Sequence, residues 1–259
     1  MKKLSIILFA SILSFQFVNA QAITTHQYRK VEQKDMQEYL KRETTYWSKL
    51  AESEVKKGNL TFWAIFQRVG GENQAHSPNI LIINTFNNMD KSNEIWGGVT
   101  DLFPDVKMED MQTWEISTVT STIYLRGLNN HTQGKNVVPD KDFNYVYILY
   151  HNSKNAGKHL AFEADKWKPM VQKAMDEGKT TLKGWGNSVI VSPESDKFPY
   201  SSSSYDLFSS MQGALGNTFS DDMKFEDGFF DDLEGNSAGP RNKHLYRIVK
   251  VVAAPNDSN

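Results

Sequence analysis

Apolar positions recur every three or four residues in two separate stretches of the chain, residues 34–57 and 156–177. This spacing predicts an amphipathic helix in each stretch, with one face turned towards a core. Each stretch is followed by a glycine, Gly58 or Gly178, the residue best suited to the left-handed turn that ends a helix. The pattern therefore predicts two long helices of similar design.

An aromatic strand follows each predicted helix, at residues 60–69 and 182–191. The first strand is apolar on both faces, with Phe62 on one face and Trp63 on the other, which indicates that both faces are covered. Trp185 follows Trp63 by 122 residues, and the other matching features of the two stretches are 120 to 122 residues apart. So constant an offset indicates an internal duplication.

Shorter β-rich runs complete each half, which then has the order strand, helix, strand, strand, helix, strand. This is the order of the ferredoxin-like unit. The predicted fold class is α+β, with two tandem ferredoxin-like (βαββαβ) repeats whose antiparallel sheets pack together. The predicted boundaries are a first repeat at 21–126, a linker at 127–142, a second repeat at 143–254 that contains an acidic insertion at 221–235, and a tail at 255–259.

The first twenty residues have the pattern of a signal peptide. Lys2 and Lys3 precede an apolar run at 4–18, and Ala20 supplies a small residue at the cleavage position. The alternative, a membrane anchor, would need a longer apolar run of roughly 20 residues. We therefore expect export to the periplasm or the extracellular space, with cleavage after Ala20 and no membrane-spanning segment in the mature chain.

Composition and motifs exclude several classes of function for this protein. The chain has no cysteine, so stability must come from core burial without disulfides. The net charge is −2, and this lack of basic excess argues against nucleic acid as a partner. No nucleophile elbow, phosphate loop or dinucleotide fingerprint is present in the sequence.

The segment Trp167-Lys168-Pro169-Met170, followed by Gly178 and Lys183-Gly184-Trp185, resembles the dimeric α+β barrel superfamily. It is most similar to secreted, uncharacterised members from Bacteroidota-type bacteria. Most members pair two chains to form the barrel, so the resemblance implies that this duplicated chain forms an intramolecular dimeric α+β barrel. The resemblance also implies a pocket between each sheet and its helices, but it transfers no catalytic residues.

Six residues are candidates for ligand binding. Trp63 and Trp185 could form aromatic walls, although core packing is the commoner role of Trp on such strands. The small residues that surround Asn187 favour a larger cavity in the second half, close to Trp185 and Tyr147. The other two candidates lie in the first half: Arg68 ends a central strand and could hold a carboxylate or reach solvent, and His76 lies in a loop beside the predicted pocket.

The sequence predicts no cofactor and no metal site. No two of the six histidines have the four-residue spacing of a helical metal pair. His151 and His159 are eight residues apart at a predicted strand-to-helix junction, and one of them could ligate a heme or act as a general base. His76 is a further candidate heme ligand. The acidic segment 221–234 could bind calcium, but its phenylalanine spacing favours an amphipathic helix with a solvated acidic face.

The function predicted from these features is binding of a small apolar or aromatic molecule by an exported protein. The first alternative is a cofactor-free oxygenase- or isomerase-like enzyme, and the second is a heme-handling protein. The sequence is compatible with a monomer or a homodimer, because a self-completed barrel can still associate through its outer surface.

Overall fold

The computed structural model describes residues 22–70 and 77–254, so the predicted signal peptide and tail lie outside the described residues. Eight strands form the centre of the fold. They are β1 (Ile23–Val31), β2 (Leu60–Arg68), β3 (Ile80–Phe86), β4 (Ser117–Gln133), β5 (Tyr145–His151), β6 (Leu182–Ser192), β7 (Ser202–Phe208) and β8 (Asn242–Ala253).

The strands close into one antiparallel barrel in the order β1-β3-β2-β8-β5-β7-β6-β4. Within this ring the strands of each half stay together, as β4-β1-β3-β2 and β8-β5-β7-β6. The two groups join where β2 pairs with β8 and where β4 pairs with β6. Closure leaves no free edge in this sheet, and a free edge is where unpaired backbone groups would otherwise invite aggregation.

Two strands differ from the predicted bounds. The sequence predicts a short first strand at residues 28–32, but β1 begins at Ile23 because its additional residues pair with both β3 and β4. β4 continues to Gln133, into the segment that composition predicted as a linker, because its second part pairs with β6. The polar residues of this segment are therefore partly strand.

Two long helices pack on the outside of the barrel, and several short ones connect the strands. Helix α1 runs from Met36 to Lys56 and helix α6 runs from Ala156 to Asp176. The short helices are α2 (Ser92–Gly97), α3 (Val99–Leu102), α4 (Met108–Met111), α5 (Pro139–Asp142), α7 (Met211–Leu215) and α8 (Asp231–Gly235).

Each long helix contains one π-helical turn, Glu43–Trp47 in α1 and Glu163–Trp167 in α6. A π turn inserts one extra residue, so it changes which side chains share a face. In a regular α-helix, residues eight positions apart point about 80° away from each other. Glu163 and Val171 are nevertheless both buried, because the extra residue brings them to the same side.

The apolar residues form separate layers. The barrel interior combines residues of both halves, including Ala64, Phe66, Val146 and Tyr246. Alternate residues of β2, among them Trp63, instead pack between the sheet and α1. This confirms the prediction that β2 is covered on both faces. A third layer, between the sheet and α6, contains Trp185.

The barrel interior also holds a small polar network. The Tyr150 hydroxyl lies 2.7 Å from His26 Nδ1 and 2.7 Å from the Tyr28 hydroxyl. All three residues are buried. Burial lowers the pKa of His26 to about 3, so its imidazole is neutral near pH 7.

The acidic segment 221–234 does not form the predicted amphipathic helix. Only α8, Asp231–Gly235, is helical in this region. Phe225, Phe229 and Phe230 instead stack on one another, with ring centroids 4.9 to 5.5 Å apart. Contacts among these aromatic rings therefore organise the segment, in place of the predicted helix. Within the described residues, no helix is both long and apolar enough to span a membrane.

Candidate functional site

A cavity of about 600 Å³ lies between α6 and the sheet in the second half of the chain. The helix supplies one wall, β5, β6 and β7 supply the opposite one, and the connection between β7 and β8 covers the side. Much of this surface is aromatic. The aromatic lining residues are Phe162, Trp167, Trp185, Phe219 and Phe230.

Three titratable side chains meet in the cavity wall. Glu163 Oε1 lies 3.4 Å from His159 Nε2 and 3.7 Å from His151 Nε2. His159 and Glu163 are buried, and the His151 side chain is 12% exposed. We call these three residues the His–His–Glu cluster.

Local structure brings the His–His–Glu cluster together from two elements. His159 and Glu163 are one turn apart on α6, and Glu163 is the first residue of the π turn. The two side chains therefore face the same side. The helix is fixed at its N-terminus by Asn155, whose side chain accepts a hydrogen bond from the Lys158 backbone N–H at 2.9 Å. His151 is the last residue of β5 and faces the helix across the cavity wall.

Neighbouring side chains orient the cluster. Asn187 Nδ2 donates a 2.8 Å hydrogen bond to Glu163 Oε2, which leaves Oε1 for the histidines. His151 Nε2 lies 2.7 Å from the Ser204 hydroxyl. Burial lowers the pKa of His151 to about 4, and the nearby Glu163 only partly opposes this effect. His151 is therefore neutral at pH 7, with Nε2 in contact with Ser204.

A second polar group, around Asp206 of β7, also lines the cavity. Burial raises the pKa of Asp206 to about 6, and the cations Lys243 and Arg241 limit the rise. Lys243 and Arg241 are exposed on the cavity rim. The Lys243 ammonium also lies 3.8 Å from the centroid of the Tyr147 ring. The cavity therefore joins an aromatic wall to a rim that carries positive charge.

The predicted site residues of the second half lie in or beside this cavity. Trp185 lines it and is 1% exposed. Asn187 lies behind it and holds Glu163. Tyr147 lies below Lys243 and packs edge-to-face against Phe208. These three residues thus lie in or beside one cavity, and their role in ligand binding stays a prediction.

Two predicted site residues of the first half, Trp63 and Arg68, lie away from this cavity. Trp63 is buried in the layer beneath α1 and packs among core residues. Arg68 donates a 2.6 Å hydrogen bond to the Ser77 hydroxyl and lies 3.1 Å from His244 Nδ1, so its guanidinium has partners within the fold. His76 lies outside the described residues. The structure therefore brings neither Trp63 nor Arg68 to the cavity.

One cluster member, Glu163, is absent from the residues that the sequence singles out, whereas His151 and His159 are both candidates at the predicted strand-to-helix junction. Histidine spacing could not identify Glu163, because the helical pair consists of one histidine and one glutamate. The π turn hid Glu163 further, since it takes this residue off the regular apolar stripe. One available signal was the glutamate that stands at the matching place in α1, Glu43, amid apolar neighbours.

Comparison with solved structures shows the same fold over nearly the whole described chain. A candidate monooxygenase from Lactobacillus acidophilus NCFM has a TM-score of 0.55, with 13% identity over 90% of this chain and 97% of that chain. A candidate monooxygenase from Fusobacterium nucleatum subsp. nucleatum has a TM-score of 0.56, with 12% identity over 90% and 95%. An anthrone oxidase-like protein has a TM-score of 0.52, with 12% identity over 92% and 95%.

At these identities the likeness shows the fold alone. The chain shares the α+β barrel fold of these three structures. No protein-family model matches the sequence, and no curated protein matches it.

Proposed function

We propose that this is an exported protein that binds a small aromatic molecule in the cavity beneath α6. The observation that carries the proposal is the cavity itself, whose volume of about 600 Å³ falls within the usual range for ligand pockets. Such pockets combine apolar walls with a few convergent polar groups. Trp185 and Trp167 would pack against the aromatic ring of the ligand, and the His–His–Glu cluster would supply the polar groups.

The rim indicates the chemistry of the ligand. Lys243 and Arg241 place two cations beside an aromatic wall, so a ring that carries a carboxylate or an acidic hydroxyl would satisfy both surfaces. Asp206 lies between the rim and the interior and can accept a hydrogen bond from a ligand hydroxyl. A phenolic or enolic aromatic acid therefore fits better than a pure hydrocarbon.

We further propose that the barrel consists of two tandem ferredoxin-like repeats from a duplicated unit. The support is the strand order, which is the same in each half, and the π turn, which occurs at the same place in α1 and α6. A chain built in this way completes its own barrel, so we expect a monomer or a homodimer formed through outer surfaces. Export rests on the predicted signal peptide and leads us to expect a periplasmic or extracellular protein.

An enzyme is the second candidate. It is favoured by the burial of titratable groups in the wall of an otherwise aromatic cavity, an arrangement typical of general acid–base sites. The names of the matched structures, which include candidate monooxygenases and an anthrone oxidase-like protein, make cofactor-free oxygenation of a phenol or enol the first reaction to test.

Native mass spectrometry of protein purified from the periplasm tests the proposed function. We expect an adduct with the mass of a small aromatic compound, lost when Trp185 is replaced by Leu. Trp63→Leu is the matched control, because Trp63 occupies the same register position in the first half but packs against core residues. The control variant should keep the adduct.

Titration with a panel of aromatic acids extends this test. Quenching of Trp185 fluorescence that saturates at one ligand per chain would support the proposal. Equal loss of binding in Trp185→Leu and Trp63→Leu would contradict it, since ligand binding would then depend on general stability. A sharp Soret band on addition of hemin would support the heme-handling alternative.

A further inference from the structure

We propose that the His–His–Glu cluster, His151, His159 and Glu163, binds one divalent transition-metal ion, with Zn²⁺ the best match. The site goes beyond the proposed function because it can bind the ion without any organic ligand in the cavity. Imidazole nitrogen and carboxylate oxygen are the donor atoms that such ions take in proteins.

The spacing of the donor atoms fits a small ion. One ligand atom from each residue can be chosen so that all three lie within 4.8 Å of one another. With bonds of about 2.0–2.1 Å, neighbouring ligands of a tetrahedral zinc ion are about 3.3–3.4 Å apart. The distance of 3.4 Å from His159 Nε2 to Glu163 Oε1 lies at this value, and the 3.7 Å from His151 Nε2 is slightly longer. The two histidine nitrogens lie within 4.8 Å of each other, so the side chains would close around the ion on binding.

His159 provides the independent sign of a missing partner. Its Nε2 atom is buried and makes no hydrogen bond within the described part of the chain. A buried polar atom without a partner costs roughly 1–3 kcal/mol, so it calls for an explanation. A metal ion beside Glu163 Oε1 would satisfy this nitrogen and would also balance the buried carboxylate.

The surrounding residues are arranged as in metal sites. Asn187 binds Glu163 Oε2 and so orients Oε1 towards the histidines, which is the usual role of a residue that supports a metal ligand. Ser204 competes for His151, because its hydroxyl lies 2.7 Å from the same Nε2 atom. Metal binding would exchange this single hydrogen bond for a coordination bond.

Three protein ligands leave a tetrahedral ion with one open position. All three residues of the cluster line the cavity, so this position would face the space that the aromatic wall encloses. Structural zinc sites are closed by four protein ligands, whereas sites that act on a substrate keep one position for water or ligand. The geometry thus points to a reactive rather than a purely structural metal.

Titration of untagged protein, freed of metal by a chelator, with Co²⁺ and Zn²⁺ tests this inference. We expect one ion per chain and the visible absorption of tetrahedral Co²⁺. His159→Gln and Glu163→Gln should each weaken binding at least about 100-fold, because a ligand is lost. His244→Gln is the control, since His244 contacts Arg68 outside the cluster, and it should bind as the wild type does.

A further variant keeps the test decisive if the ligand variants fail to fold. Ser204→Ala removes only the competing hydroxyl, so it should bind Co²⁺ as tightly as the wild type or more tightly. Absence of saturable binding to wild-type protein would overturn the inference. So would a loss in His244→Gln as large as that in His159→Gln, because binding would then not depend on the cluster.

Discussion

The two halves of the molecule each bury a glutamate at the start of a π turn, but they surround it differently. In the second half, Glu163 meets His151 and His159. In the first half, Glu43 accepts a 2.9 Å hydrogen bond from the Thr113 hydroxyl. Burial raises the pKa of Glu43, and the nearby Arg29 partly opposes the rise.

The register of the strands and helices shows which residues correspond. Arg29 pairs with the first residue of β3, and His151 pairs with the first residue of β7. Tyr39 precedes Glu43 by four residues on α1, as His159 precedes Glu163 on α6. An arginine and a tyrosine thus stand where the second half has two histidines. Because of these two differences, the carboxylate of the first half lies beside a cation, whereas the carboxylate of the second half lies beside two imidazoles.

The same contrast extends to the tryptophans. Both tryptophans are 1% exposed and lie in core layers, but one side of Trp185 also lines the cavity. A packed tryptophan loses contacts on all sides when truncated, but one beside a cavity loses fewer. The comparison therefore predicts unequal costs for equivalent substitutions.

Trp63→Ala and Trp185→Ala should differ most clearly in stability. We expect Trp63→Ala to lower the free energy of unfolding by about 3–5 kcal/mol, the usual cost for a packed aromatic, and Trp185→Ala to lower it by about 2 kcal/mol. Urea denaturation followed by circular dichroism measures both values. Equal losses would mean that Trp185 is packed as tightly as Trp63 and that the cavity is closed in solution.

His26 gives the next largest expected effect, and it depends on pH. Its pKa is about 3 in the folded protein against an ordinary value of 6.5, so the unfolded chain binds the proton more tightly. Stability from this group is therefore complete above pH 6.5 and is lost as the pH falls towards 3. At pH 4.5 the free energy of unfolding should be about 2–3 kcal/mol lower than at pH 7 because of this group.

The variant His26→Ile isolates this contribution, because Ile148 occupies the corresponding position in β5. Unfolding measured at pH 7 and pH 4.5 should show a smaller decrease for the variant than for the wild type. The exposed His131→Gln serves as a control and should decrease as the wild type does. If His26→Ile also loses as much stability as the wild type, His26 is accessible to protons in the folded barrel.

These contrasts also show how far the sequence predicts the molecule. The helix stripes, the glycines that end them and the two-sided strand at Trp63 depend on local periodicity, so these elements could be predicted, and the α+β barrel followed from the resemblance to a known superfamily. The complete His–His–Glu cluster could not be predicted, because Glu163, which joins the two histidines, is displaced by a π turn. The segment 221–234 was wrongly predicted as a helix because its phenylalanines contact one another across turns, which overrides their helical spacing.

The smallest effect is expected at Asn187, which supports Glu163. Isoleucine stands at the matching position of the first half, Ile65, so Asn187→Ile makes the halves alike there. The substitution removes the 2.8 Å hydrogen bond to a buried carboxylate but adds apolar contact beneath α6. A hydrogen bond to a charged group contributes about 1.5–3 kcal/mol. After the apolar gain we expect a net loss of about 1 kcal/mol at pH 7.

A double-mutant cycle decides whether that loss belongs to the contact. In a Glu163→Leu background the carboxylate is absent, so Asn187→Ile should no longer destabilise the protein and should even stabilise it by removing an amide without a partner. Unfolding free energies of the four proteins give the coupling between the two residues. Purely additive values would show that Asn187 does not hold Glu163, and the orientation of Oε1 towards His159 would then need another cause.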